Sequence, residues 1–506
     1  MPDHHYITTS IYYVNDEPHI GHAHTTVLAD VLARYRRLQG RHVFFLTGTD
    51  EHGQKVRDAA VENDTNPKTQ ADRMVVRFQD AWNNLNISHD DFIRTTERRH
   101  TRLVESILRS LWDKGDIYFG EYVGWYCVPD ERFWTEKDLV DAKCPDCGRA
   151  VEKISEGNYF FRMSGYQKWL VDHLNDHAEF IQPTYRRNEV LGYLGRPLGD
   201  LCITRPVHRL DWGVRLPFDP NYVTYVWFDA LINYLTAAGF RSDDRAFERL
   251  WPTATHLIGK DILITHSVFW LTMLKAIGIP PPKTIFAHGW WNVEGAKMSK
   301  SVGNVAKPLD LASVFGTDAF RYFLVREMAA GRDAEFSEEL LRRRYESTLA
   351  NDLGNLAHRL VHMITRYCDG AIPEGGTVGD QETELRDRYT QLVTKVFENI
   401  ESFAFDEALR DVEEVVRELN RYVEWNAPWA RFKHGDQEAV RRVLYHASEA
   451  LRLVSVLISP VMPEKTRQLW ESLGWTPSGD LSEELMWGRL RPGSEVIPGH
   501  PLFPKN

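Results

Sequence analysis

The turn between the first strand and the first helix constrains the fold of this chain more than any other stretch. Tyr6-Ile7-Thr8-Thr9-Ser10 is β-branched and aromatic enough to form a strand. Val27, Leu28, Val31, Leu32, Tyr35 and Leu38 then recur at helical spacing until Gly40 stops the run. His19-Ile20-Gly21-His22 falls between the two, at a helix start, where free backbone N–H groups and the helix dipole favour an anion such as phosphate. Two imidazoles three residues apart add hydrogen bonds to phosphate oxygens, and Gly21 leaves room for a phosphate or a flat ring against the backbone. An H-x-x-H beside a helix start also arises without function. The second feature that gives it weight is Lys297-Met298-Ser299-Lys300-Ser301, in a glycine-bearing loop that begins at Gly289 and ends at Gly303-Asn304. A lysine pair on such a loop supplies mobile positive charge for a phosphoryl-type transition state.

Residues 1–115 alternate strand and helix. His42-Val43-Phe44-Phe45-Leu46 reads as a buried parallel strand, and Asp50 and His52 follow it, where ligands of open α/β sheets lie. Asp50 suits a helix N-cap equally well. No G-x-G-x-x-G follows a strand and no Walker lysine motif occurs, which excludes the dinucleotide-binding and P-loop classes. Residues 116–226 are dense in aromatics, glycine and proline and read as an insertion. The α/β pattern resumes at Tyr225–Ala230, with strands at His256–Gly259 and Lys283–Ala287, so residues 227–301 form the second half and end in the lysine loop. A short mixed segment, 302–336, precedes a helical region, 337–506, with apolar faces at Leu349, Leu353, Leu356, Leu360 and Ile364 and at Leu409, Val412, Val416 and Leu419. The tail from Pro492 is expected to pack back on the body. The predicted fold is α/β: a Rossmann-like parallel-sheet catalytic domain with an inserted, zinc-knuckle-like connective domain, followed by an α-helical bundle.

At 506 residues there is room for about three domains. A hydrophobic content of 43% with 26% charged residues fits a soluble globular enzyme. The N-terminus shows no export signal, and the apolar run Ile262–Ile279 is interrupted by His266, Ser267 and Lys275, as in a core helix rather than a membrane span; a cytoplasmic protein is expected. The net charge of −11 gives no hint of a nucleic-acid partner, so any RNA-binding surface must be local. Cys144-Pro145-Asp146-Cys147-Gly148 reads as half of a zinc knuckle, and Cys127-Val128-Pro129-Asp130 supplies an x2-spaced partner with a carboxylate in place of a fourth cysteine. The expected site is one structural Zn2+ held by Cys127, Asp130, Cys144 and Cys147. The alternative is a metal-free knuckle held by packing.

The two signatures resemble the HIGH and KMSKS motifs of class I aminoacyl-tRNA synthetases, both matched without a substitution. Within that class the chain is similar to the methionyl-tRNA synthetase family over almost its whole length: Ser10-Ile11-Tyr12-Tyr13, Asp50-Glu51-His52-Gly53, Trp227-Phe228-Asp229-Ala230 and Gly259-Lys260-Asp261-Ile262 through His266 to Trp270 match in order. The resemblance implies a methionine–tRNA ligase that forms methionyl-adenylate from ATP with Mg2+ and charges tRNA(Met). It implies ATP contacts by His19, Gly21, His22, Lys297, Ser299 and Lys300, with catalysis by His19, His22, Lys297 and Lys300. It implies a methionine pocket of Ile11, Tyr13, Asp50, Trp227, Ala230, Tyr234, Ile262, His266 and Trp270, where aromatic rings suit a polarisable thioether. In the helical part it implies anticodon reading by Asn355, Arg359 and Trp429, with amide and guanidinium on base edges and indole as a stacking platform. It also makes 302–336 a stem-contact segment. Some members carry a further dimerising C-terminal domain that this chain lacks, so a monomer is expected. The insertion is too short for the editing domain of the large leucine, isoleucine and valine enzymes. A cysteine-specific relative would need an early active-site thiolate, and no cysteine precedes Cys127. A non-catalytic tRNA-binding relative is expected to have lost histidines or lysines that are intact here.

Overall fold

A computed structural model of the chain describes residues 4–127, 132–134, 136, 139–145, 148–293, 296–297, 307–480 and 482–504. Its central sheet has seven parallel strands. In spatial order they are Tyr12–Tyr13, His42–Asp50, His4–Thr9, Thr255–Gly259, Thr284–His288 and Ile181–Gln182, with Asp91–Arg94 also paired to His42–Asp50. These segments are apolar because helices cover both faces: Phe45, Leu46, Leu257, Ile258 and Ile285 are fully buried. The first strand has His42–Asp50 on one side and Thr255–Gly259 on the other, so the sheet grows in opposite directions from it. A crevice opens at the carboxyl ends of strands at such a switch point.

The insertion is less separate than the sequence suggests. An antiparallel arm is built from Arg132–Trp134, Ile117–Cys127, Glu152–Phe161 and Leu201–Cys202. The chain then returns, and Ile181–Gln182 pairs with Thr284–His288 at the edge of the central sheet. Helices Gln167–Asp176 and Thr184–Leu194 place Leu170, Leu174, Val190 and Leu194 in the same core as Leu271 and Leu274. A two-residue edge strand carries no periodicity, so nothing in the sequence announces it.

The segment expected to be mixed contains helices Pro308–Phe315 and Thr317–Glu327 and the strand Ala334–Glu335 beside Trp291–Val293. The helical region begins at Ser337, whose hydroxyl accepts the backbone N–H of Leu340 at 3.1 Å as an N-cap. Its central helix, Gln437–Ile458, is buried along nearly all its length. One apolar cluster runs from Ile7 and Val27 in the catalytic part to Leu360, Val416 and Leu457 in the bundle. Phe286 stacks on Phe403 across that junction at 4.7 Å. The tail does pack back: Leu502 and Phe503 are buried, and Ile372 and Val496 donate to Ser494 and Gly370, each at 2.8 Å. Among the described residues no helix is long and apolar enough to cross a membrane.

Candidate active site

The crevice holds a cavity of about 480 Å3. Its walls come from four loops at strand ends: Ser10–Tyr13 with the turn to Gly21 and His22, Asp50, Gly259 with Asp261 and Ile262, and His288–Trp291; Trp227 closes one side.

His19 is the N-cap of helix Ile20–Leu38. Its Nδ1 accepts the backbone N–H of Gly21 at 3.1 Å, while Nδ1 of His22 accepts the backbone N–H of His19 at 3.3 Å. The two rings stack with centroids 3.7 Å apart. This reciprocal capping assigns the tautomers: a neutral ring whose Nδ1 accepts carries its proton on Nε2, the form that donates to a phosphate oxygen. Burial and the neighbouring His19 ring push the pKa of His22 well below its usual value, so it is neutral near pH 7. His22 therefore sits within the first helical turn rather than in the turn before it.

Asp50 ends the strand His42–Asp50, is buried, and lines the cavity. It is not the cap of the next helix; that position belongs to Gly53, at φ 99°. The other residues of the Asp50–Gly53 motif turn away. Glu51 is held by Arg94 at 2.6 and 3.0 Å and by Thr49 at 2.8 Å. His52 Nδ1 lies 2.6 Å from Asp229, whose second oxygen is 2.8 Å from His100 Nε2. Burial raises the Asp229 carboxyl, but the two imidazoles outweigh it and hold its pKa at about 2.

Of the nine expected methionine-pocket residues, Ile11, Tyr13, Asp50, Trp227 and Ile262 line the cavity. Ala230, Tyr234, His266 and Trp270 form a closed layer behind it, each at most 3% exposed. His266 Nδ1 donates to the carbonyl of Ile262 at 3.0 Å, so its Nε2 accepts the Tyr234 hydroxyl at 2.9 Å. Buried polar atoms must pair, and here these two pair with each other. Burial holds the His266 imidazole at about 4. Trp270 Nε1 donates to His256 at 3.3 Å, and that ring stacks on Tyr234 at 4.2 Å. The helix around His266 is a single π-helical turn, Thr265–Phe269, a distortion found often at functional sites.

Sequence reasoning missed Lys55, whose ammonium lies 4.8 Å from the Tyr13 ring centroid, and His288 and Trp290, all three on the cavity wall. His288 Nδ1 donates to the carbonyl of Gly289 at 2.7 Å, leaving Nε2 to accept the Thr25 hydroxyl at 2.7 Å. Its position as the last residue of a strand was the available signal, but the apolar run alone ends that strand at Ala287.

Lys297 is described as the end of a hairpin, with Asn292 opposite it; Ser299 and Lys300 lie outside the described residues. Cys127 and Cys144 are both buried, at 0% and 1% exposure, whereas Asp130 and Cys147 lie outside the described residues. Around Cys144 the chain closes on itself: Gly148 donates to the Cys144 carbonyl at 2.8 Å, and the Cys144 N–H donates to Arg149 at 2.9 Å. Gly148 has φ 69°, which favours glycine. Among the described residues, no side chain between Ile117 and Tyr159 belongs to an apolar core cluster. In the bundle, Asn355 opens the helix Asn355–Tyr367, and Arg359 lies 5.5 Å from the ring centroid of Trp429 while pairing with Glu424 at 3.1 Å. Trp425, nearby in sequence, is 82% exposed, on the side of the helix Phe405–Asn426 away from Val412, Val416 and Leu419.

Two family models match the chain: tRNA synthetases class I (M) over residues 5–156 and 149–361, and the anticodon binding domain of methionyl tRNA ligase over residues 372–505. A methionine–tRNA ligase of Caldanaerobacter subterraneus is 46% identical over 99% of this chain and 78% of its own length. One from Streptomyces coelicolor is 43% identical over 99% and 96%. A structure of Mycobacterium tuberculosis methionyl-tRNA synthetase in complex with methionyl-adenylate superposes with a TM-score of 0.96 at 40% identity, covering 99% of this chain and 100% of that one.

Proposed function

The chain belongs to the class I methionyl-tRNA synthetases, and from that premise we propose how its residues divide the work. The enzyme ligates L-methionine to tRNA(Met) with ATP. The methionine carboxylate attacks the α-phosphorus, giving methionyl-adenylate and pyrophosphate; the terminal adenosine of the tRNA then takes the acyl group and AMP leaves. The observation that carries the division of roles is the single cavity lined by both signature histidines, Asp50 and the aromatic wall. His19 and His22, as neutral rings, donate to phosphate oxygens as charge builds, with Gly21 beneath them. Asp50 pairs with the α-ammonium of methionine. Ile11, Tyr13, Trp227 and Ile262 enclose the side chain, and Ala230, Tyr234, His266 and Trp270 set the shape of the wall behind. Lys297, Ser299 and Lys300 close from the loop. No side chain acts as a nucleophile, so positioning and electrostatics carry the reaction. Mg2+ would enter with ATP and would neutralise phosphate charge.

Residues 1–115 and 227–301 make the catalytic unit, 116–226 the connective insertion, 302–336 the stem-contact segment and 337–506 the anticodon-binding unit. Substrates of this kind support a cytoplasmic location. Asn355, Arg359 and Trp429 read the anticodon, which the contact between Arg359 and Trp429 supports. Trp429→Ala is expected to leave methionine-dependent pyrophosphate exchange intact. Aminoacylation should fall roughly 5- to 150-fold, the range for losing one base stack worth about 1–3 kcal/mol. Equal losses in both assays would indicate a fold defect, and unchanged charging would remove Trp429 from the recognition site. Pyrophosphate exchange with each of the twenty amino acids tests the pocket itself, and methionine should be the one that supports it.

The connective arm holds one zinc through Cys127, Asp130, Cys144 and Cys147. Two buried thiols, a tight glycine turn after one of them and the lack of apolar-cluster side chains among the described residues between Ile117 and Tyr159 support this reading. The metal supplies structure, since four protein ligands leave no open position. Elemental analysis is expected to give up to one zinc per chain, weakly held because one ligand is a carboxylate. Asp130→Cys should slow its loss to a chelator, and Cys144→Ser should abolish binding. Zinc-free protein after expression in full zinc supply, purified without chelator, would leave a knuckle held by packing.

A further inference from the structure

Three segments meet at the base of the lysine hairpin. One is the loop Lys260–Ile262, which follows the strand Thr255–Gly259 and lines the cavity through Asp261 and Ile262. The second is residues 289–293, which lead into the hairpin carrying Lys297. The third is residues 329–335, which lead on to the helical bundle. Asp333, on the third, touches the other two with its two oxygens. Oδ2 accepts from Lys260 Nζ at 2.6 Å, and Oδ1 accepts from the backbone N–H of Trp290 at 2.9 Å. The Lys260 ammonium also lies 4.0 Å from the Trp290 ring centroid, and Trp290 Nε1 donates to Asp261 at 3.3 Å.

The backbones leave little room for independent movement. A Cβ on Gly289 would stand 2.0 Å from the Arg332 carbonyl oxygen, and Ala334 donates to the Trp290 carbonyl at 2.9 Å. The third segment is itself anchored: Arg186 donates to the Gly331 carbonyl at 2.8 Å. One carboxylate on an anchored segment therefore ties a cavity loop to the foot of a hairpin. A ligand that draws Lys260–Ile262 inward moves the Lys260 ammonium, and the shared carboxylate and the Trp290 ring carry that displacement to the hairpin.

We propose that Asp333 is a positioning residue that couples occupancy of the methionine side of the cavity to the placement of the hairpin that ends at Lys297. This rests on the role given above to the lysines of that loop. Coupling of this kind is reciprocal, so methionine-side ligands should tighten ATP as much as ATP tightens them.

Asp333→Asn tests it, since asparagine keeps the size and one acceptor but gives up the charge facing Lys260. Methioninol, which lacks the reacting carboxylate, serves as the methionine-side ligand, with ATP·Mg2+ binding measured by calorimetry on the whole chain. In the parent, methioninol should tighten ATP; in Asp333→Asn that factor should fall towards one. Single-turnover adenylate formation should drop about tenfold, within the range by which coupling residues act. Methionine affinity should stay within about twofold and the melting temperature within about 2 °C. Lys260→Met should give the same loss, and the double variant should be no worse than either single one. The proposal is overturned if methioninol tightens ATP equally in parent and variant, if the two single losses multiply, or if stability and methionine affinity fall together with the rate. Should Lys300→Ala leave adenylation intact, the lysine reading fails; should Lys300→Ala silence it while Asp333→Asn does not, only the coupling fails.

Discussion

Lys300→Ala is expected to slow adenylate formation 100-fold or more, about 3 kcal/mol of transition-state stabilisation, the scale for removing one preorganised charge contact. The residue follows a short hairpin, Trp291–Val293 paired with Ala296–Lys297, whose foot stands on the cavity rim. The wall proposed for methionine is built on other elements: Asp50 ends the strand His42–Asp50, Tyr13 ends the strand Tyr12–Tyr13, and Trp227 lies in the helix Val226–Leu231. Methionine affinity should therefore change little while the chemical step collapses. A single-turnover rate within about threefold of the parent would remove the lysine loop from the mechanism.

Arg321→Met is expected to destabilise the protein by about 3–5 kcal/mol, because it leaves a buried carboxylate without its main partner. Arg321 and Asp30 are both wholly buried and meet at 2.6 Å. The guanidinium also donates to the carbonyls of Val461, Leu85 and Pro460, each at 2.9 Å. It thus joins helix Ile20–Leu38, the end of the helix Pro67–Asn84 and the bundle. Burial raises the Asp30 carboxyl, but Arg321, Arg34 and Ser88 together hold it below the usual range. The shift in urea midpoint, followed by tryptophan fluorescence, measures the loss. Adding Asp30→Asn should recover part of it, since the buried charge is then gone. A loss under about 1 kcal/mol would mean that water reaches Asp30 once the arginine is removed.

Much of the active site was legible because its signals are local. A β-branched strand, a glycine-bearing turn and a 3.6-residue apolar repeat place His19 and His22 at a helix start whatever surrounds them. The same holds for the apolar strands that end near Asp50 and Gly259, and for the amphipathic faces Leu349–Ile364 and Leu409–Leu419, which the bundle buries. The strand Ile181–Gln182 was illegible because two residues carry no period, and its membership of the central sheet depends on Thr284–His288 being beside it. Lys55, His288 and Asp333 were illegible for a related reason. A charged or polar residue after a strand or on a helix looks the same in sequence whether it meets solvent or a distant partner.

The sequence by itself determined the class of chemistry, the order of strand and helix, and which stretches bring the candidate site residues to strand ends. The tertiary structure alone decided which of those side chains reach the cavity. Asp50 does, while Glu51 and His52 turn to Arg94 and Asp229. Tyr234 and His266 bond each other behind the wall, and Asp333 finds Lys260, 73 positions away in the chain. Periodicity decides which face a residue joins. Only strand order and the pairing demanded of buried polar groups decide what stands opposite it.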